Sequence, residues 1–323
     1  MSFFKNLIQA SSCSAVLLAA LIATGAAAQT APPEDPSTYG EFGEEVSVGY
    51  VLVPVVVRSG SGYAKNLDAG DFRLLVDGRP VKIESFEKRA EAPASVVFLQ
   101  DLSGSMANAG KLQQSQQVVR YFLDRALPGD EYAIASFAGI GMEVEVPFTS
   151  QIATVREALA NWKPYGTTAL HDAVAEVPKI SLEGRNPKRF AILVTDGVDN
   201  ASRLTPEQAR EIVREAQLPV YVLGLQSGDT TTLDAEGKKL YRYSDVLNLL
   251  AFTSGGRYYS ISKPEDLDEA LAAIQDDLRH QYVLGFSTGD GRPTWRNLRV
   301  EVEGRRRPVL FRRGYKGTPP AGS

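Results

Sequence analysis

A single cysteine in 323 residues, Cys13, leaves no partner for a disulfide, so stability must come from packing and from any bound ion. Two histidines are the whole supply of imidazole. There is no glycine-rich phosphate loop and imidazole is scarce, so a convincing general base or nucleophile is missing and the chain is expected not to be an enzyme. Basic excess is also absent: a formal charge of -4 argues against a general nucleic-acid binder. Beyond the first residues no stretch is apolar enough to cross a bilayer.

What is present fits a globular protein, with 43% hydrophobic and 23% charged residues. The length allows one main domain and a smaller one. Lys5, the apolar run Ala15 to Ala23 and Ala26-Ala27-Ala28 before Gln29 have the pattern of a secretory signal, with cleavage expected after Ala28. An uncleaved anchor is the alternative, although the run is short and interrupted by Thr24-Gly25. Cys13 precedes the run, so it is not placed as a lipid-modified first residue. The expected location is periplasmic or secreted.

Residues 29–45, rich in Pro, Gly, Ser and acid, are expected to be a disordered linker. Strand patterns follow over 46–91, with Asp77-Gly78 as a hairpin turn. From about 92 to 280 buried-type strands alternate with helices, the clearest being Pro264 to His280 with Leu267, Leu271, Ile274 and Leu278 on one face. This alternation predicts an α/β fold, a Rossmann-like doubly wound, mostly parallel sheet covered on both faces. Strands return over 281–316 and are expected to join 46–91 in a small β-domain, leaving 317–323 as a disordered tail.

The chemistry concentrates at strand ends. Asp101-Leu102-Ser103-Gly104-Ser105 follows the apolar run Ala94 to Leu99. Gly166-Thr167-Thr168-Ala169-Leu170 opens a helix, and Thr195-Asp196-Gly197 closes another apolar strand. In a doubly wound sheet the ligand site lies beyond the carboxyl ends of the strands. These loops supply oxygen donors only, which selects a hard cation such as Mg²⁺ or Mn²⁺.

This order of elements resembles the von Willebrand factor type A domain over roughly residues 93–280, and the whole layout, with its C-terminal Gln281 to Gly285 and Arg312-Arg313-Gly314-Tyr315, resembles a family of secreted bacterial proteins related to that domain. The resemblance implies a metal-ion-dependent adhesion site with Asp101, Ser103, Ser105, Thr168 and Asp196 as ligands. Thr167 is a rival for Thr168, because the family often writes Gly-Gly-Thr here. It further implies a protein partner that presents an Asp or Glu to the cation, and movement of the last helix, here 264–280, that the β-domain would feel. No acidic pair follows Ser105, so a second adjacent cation site is not supported.

Plainer readings stand beside these. The five residues can instead cap loops and helix N-termini in a metal-independent architectural subunit. A metal-dependent phosphohydrolase would want a second carboxylate two residues after Asp101, where Ser103 stands. His171 is expected to be a partly exposed helix residue, Asp172 to serve the helix dipole and Asp199-Asn200 to make a turn or line the rim. The polar insertion 229–243 reads as a solvated hairpin, and Arg305-Arg306-Arg307 with Arg312-Arg313 as solvated strand faces. Asp101 reads as a surface carboxylate whose removal would spare the fold.

Overall fold

The computed structural model describes residues 49–59, 62–88, 92–108, 110–186, 188–197, 199–216, 218–225, 231–233, 239–303 and 309–321. The expected leader 1–28, the linker 29–45, Arg305-Arg306-Arg307 and part of the 229–243 insertion lie outside these residues.

The chain begins with β1 (Tyr50–Ser59), β2 (Gly62–Tyr63), β3 (Phe72–Val76), β4 (Arg79–Val81) and β5 (Ser85–Lys88). Asp77 and Gly78, at φ 49° and 80°, join β3 to β4, the positive φ pair that a two-residue hairpin requires. The α/β part follows. It comprises β6 (Ala94–Asp101), α1 (Lys111–Leu123), β7 (Glu131–Ala138), β8 (Gly141–Thr149), α2 (Ile152–Ala160), α3 (Leu170–Leu182), β9 (Lys188–Thr195), α4 (Pro206–Glu215), β10 (Val220–Leu225), β11 (Thr231–Leu233), β12 (Lys239–Arg242), α5 (Tyr243–Ser254), β13 (Tyr258–Ile261) and α6 (Pro264–Arg279). The chain then returns to β14 (Gln281–Ser287), β15 (Thr294–Val302), β16 (Val309–Phe311) and β17 (Gly314–Gly317).

Six strands form the central sheet in the order β13-β10-β9-β6-β7-β8, parallel except for β8. Every residue of β6, β7 and β10 is buried, as expected for strands covered on both faces. Alternate β6 side chains serve two cores: Val96 and Phe98 pack with α1, α2 and α6, while Val97 and Leu99 pack with α3, α4 and α5. The connection from β6 leads to β7 on one side, and the connection from β9 leads to β10 on the other. The order therefore reverses between β6 and β9, whose carboxyl ends carry Asp101 and Thr195.

Segments from both chain ends build the β-part. One sheet runs β16-β1-β14-β5 with β2 added on β1, and another runs β17-β15-β3-β4. Val51, Val53, Val55 and Val57 of β1 and Tyr282, Leu284 and Phe286 of β14 point inward at period two, meeting Phe72, Leu74, Leu298 and Tyr315 in one core. The insertion carries the antiparallel pair β11 and β12. Among the described residues no helix is long and apolar enough to cross a membrane.

Candidate metal centre

The buried strand β6 delivers the Asp101 carboxylate into the interior. Asp101 is 0% exposed, which corrects its reading as a surface group. The Ser103 N–H donates to Oδ1 at 2.9 Å and the Thr195 hydroxyl to Oδ2 at 2.6 Å, tying the loop after β6 to the end of β9. The Gly197 N–H in turn donates to Thr195 Oγ1 at 3.0 Å. Burial pushes the Asp101 carboxyl up to about 6, opposed by the bonds from Ser103 and Thr195, and the nearby Asp196 charge adds to the rise. Ser103 and Ser105 hydroxyls lie 3.1 Å apart, and Met106, fully buried, anchors the short turn that presents them.

Backbone bonds join this loop to its neighbours. Gly104 N–H donates to Gly166 O at 3.1 Å, Tyr165 N–H to Leu102 O at 2.8 Å and Gly139 N–H to Thr167 O at 2.7 Å. Gly166 sits at φ 65°, and a Cβ there would stand 3.1 Å from the Gly139 nitrogen, so this junction needs glycine. Thr168 is buried at 3% while Thr167 is exposed. The Thr168 N–H donates to Asn200 Oδ1 at 2.8 Å, and its carbonyl accepts from the Asn200 and Ala201 N–H groups at 3.0 and 3.1 Å. Asn200 is thus a brace for the threonine loop. Asp199 accepts from Ser202 and from the His171 N–H at 3.0 Å, and Asp172 accepts from the Arg203 and Leu204 N–H groups.

Asp196 holds the most informative contact. Its Oδ2 lies 2.9 Å from the Lys111 ammonium, with the two side chains only 4% and 8% exposed. Its Oδ1 is buried with no hydrogen-bond partner among the described residues. Lys111 is missing from the residues singled out by sequence. A signal was nevertheless present: a lysine in the first turn of α1 opposes the helix dipole, which asks for a compensating anion nearby.

His171 is buried at 5%, not partly exposed as its sequence position suggested, and its Nδ1 lies 3.3 Å from Asp199 Oδ2. Arg312, read as part of a solvated face, is 3% exposed.

Among the described residues no three His, Cys, Asp or Glu side chains gather as a metal-holding group. A cation here would therefore rest on hydroxyls as well as on carboxylates. The donor set fits a hard dication: oxygen atoms only, two converging hydroxyls and an unpartnered buried carboxylate oxygen.

A doubly wound sheet with oxygen-rich loops at its switch point defines a class of α/β binding domains. Residues 96–198 match the family model of the von Willebrand factor type A domain. The UPF0353 protein of Nocardia farcinica (strain IFM 10152) is 26% identical over 238 residues, spanning 65% of this chain and 70% of that protein. Among solved structures, the von Willebrand factor type A protein from Catenulispora acidiphila is similar with a TM-score of 0.48 and 12% identity, over 83% of this chain and 74% of that one. BatB from Bacteroides thetaiotaomicron is similar with a TM-score of 0.43 and 21% identity, over 57% of this chain and 97% of that one. The von Willebrand factor domain of the type V pili tip protein Mfa5 from Porphyromonas gingivalis has a TM-score of 0.45 and 13% identity, over 57% of this chain and 95% of that one.

Proposed function

We propose that the chain is a non-enzymatic, metal-dependent protein-binding module of a periplasmic or secreted protein. In this reading Asp101, Ser103, Ser105, Thr168 and Asp196 hold Mg²⁺ or Mn²⁺ directly or through water, and an Asp or Glu of a partner protein completes the coordination. When bound, the cation would supply a poorly neutralised positive charge that attracts that carboxylate. The protein's own share is orientation: Thr195 and the Ser103 N–H fix Asp101, and Asn200 fixes the Thr168 loop. The buried, unpartnered Asp196 Oδ1 carries the reading, because an oxygen removed from water without a bond is costly unless a cation is its partner.

A second reading, a metal-independent architectural subunit, is favoured by the Lys111–Asp196 pair, in which an ammonium already neutralises one carboxylate. Calorimetric titration of the protein with Mg²⁺ and Mn²⁺ separates the two. Saturable binding that Ser103→Ala,Ser105→Ala removes supports the metal site. Heat of dilution alone with both ions would favour the architectural reading.

A further inference from the structure

At the amino end of β13 a cavity of about 220 Å³ opens where the α/β part meets β16. Arg58, Arg257 and Arg313 line it together with Phe252, Asn248 and Leu310, and none of its lining residues is acidic. Behind it lies one buried carboxylate, Asp277, bonded to Arg58 at 3.0 Å and also within the influence of Arg257. Among the described residues this one negative charge acts on Arg58 and Arg257. Arg313 has no carboxylate within 4.0 Å among the described residues. Its guanidinium carbon lies 4.3 Å from the ring centre of Phe252 and 4.5 Å from that of Phe311, and its Nε is buried without a hydrogen-bond partner. Ring contacts orient a guanidinium but leave its charge and its in-plane donors uncompensated. Burial accordingly makes the charged form of Arg313 harder to hold.

We propose that this cavity binds a small organic oxyanion, a carboxylate or phosphate joined to an apolar body. Its charged group would meet Arg257 and Arg313, and its apolar body would lie against Phe252 and Leu310. Guanidinium is the side chain whose planar donors suit such oxyanions, and the cavity sets Arg257 and Arg313 beside Phe252 and Leu310. A volume below the roughly 300–1,000 Å³ of pockets that enclose drug-sized ligands limits the occupant to a small molecule. Nothing in this site depends on the metal centre.

Benzoate and phenyl phosphate serve as probes on the full chain, in EDTA and at ionic strength fixed with NaCl, read by thermal unfolding and calorimetry. Comparing the two tells a carboxylate from a phosphate preference. The expected result is saturable stabilisation by one or both at millimolar concentration. Asn248→Asp, which sets a carboxylate in the cavity at an exposed position, should weaken binding at least tenfold, as should Arg257→Gln. A response no larger than that to NaCl alone, or binding by Asn248→Asp equal to that of the unaltered protein, would overturn the proposal.

Discussion

Lys111→Met preserves the length and apolar stem of the side chain and deletes its charge. The ammonium sits 2.9 Å from Asp196 Oδ2 in a place where both side chains are almost wholly shielded from water. Because Asp196 Oδ1 already has no partner among the described residues, the variant would leave a desolvated carboxylate with neither oxygen bonded. Removing one member of a buried pair costs roughly 3–5 kcal/mol. The low end of that range is about 3 kcal/mol. At roughly 2–4 °C per kcal/mol for a folded unit of this size, the variant should melt about 6–12 °C below the unaltered protein in EDTA. In the metal-dependent reading a dication restores the missing positive charge. Mg²⁺ should therefore recover most of the loss and stabilise Lys111→Met more than the unaltered protein. Circular-dichroism melts in EDTA and in graded MgCl₂ read both effects. A variant within about 2 °C of the unaltered protein in EDTA would show that the pair is not the buried interaction described. Equal Mg²⁺ gains in both proteins would remove the competition between lysine and metal.

Other perturbations probe the neighbouring groups. Asp101, with a folded pKa of about 6 against an ordinary 3.8, binds its proton more tightly in the folded than in the unfolded chain. Its contribution to metal-free stability should therefore fall by about 3 kcal/mol as pH rises from about 4 to 6 and stay level above that. Denaturation midpoints in EDTA should show Asp101→Asn gaining on the unaltered protein across this window, and a constant difference would contradict the burial argument. Asp101→Ala should be less stable than Asp101→Asn by roughly 1–3 kcal/mol, since both are neutral and asparagine keeps one acceptor oxygen, for the Ser103 N–H, that alanine removes. Equal stability of those two variants would mean that bond contributes little. Asn200→Ala removes the acceptor of the Thr168 N–H, worth about 1 kcal/mol, and should weaken Mg²⁺ binding roughly fivefold by calorimetry. Undiminished affinity would take Asn200 out of the site.

Local patterns made much of the α/β fold legible. Near-continuous apolar runs such as Ala94 to Leu99 announce strands buried on both faces, and the i, i+4, i+7, i+11 leucine and isoleucine stripe announces α6. The strand Gly141–Thr149 escaped, because it is an edge strand with a mostly solvent-facing pattern that lacks the apolar run of its neighbours. At the candidate site, residue types and their strand-end positions were readable, but burial was not. Whether Asp101 faces water depends on how the loops after β6, β7 and β9 close over it, a tertiary fact with no local signature. Lys111 and Asp196 pair across 85 residues of sequence, and Arg312 is buried only because α5 and β1 converge on it. The insertion's polar composition did point to a hairpin, the form taken by β11 and β12.

The resemblance implied a last helix that moves when the metal site is filled, and the contacts of α6 bear on what such movement would cost. Near its carboxyl end Asp277 is bonded to Arg58 at 3.0 Å and to the Tyr63 hydroxyl at 2.7 Å. Arg279 is bonded to Asp130 at 3.0 Å, and His280 stacks on Tyr63 with ring centres 4.8 Å apart. Asp277 and Asp130 are almost wholly buried, so separating either pair would strand a charge at roughly 3–5 kcal/mol. The chain then enters β14 directly, between β1 and β5, with Tyr282, Leu284 and Phe286 inward. A slip of one residue along β14 would turn those three side chains outward. Sliding of α6 along its axis is therefore opposed at its carboxyl end by both ion pairs and by strand register. Backbone amides of β14 should keep the same hydrogen-exchange protection when Mg²⁺ is added, with changes confined to the loops after β6 and β9. Faster exchange across residues 281–287 on adding Mg²⁺ would show that the clasp yields. Arg58→Met, by weakening it, should raise exchange there even in EDTA.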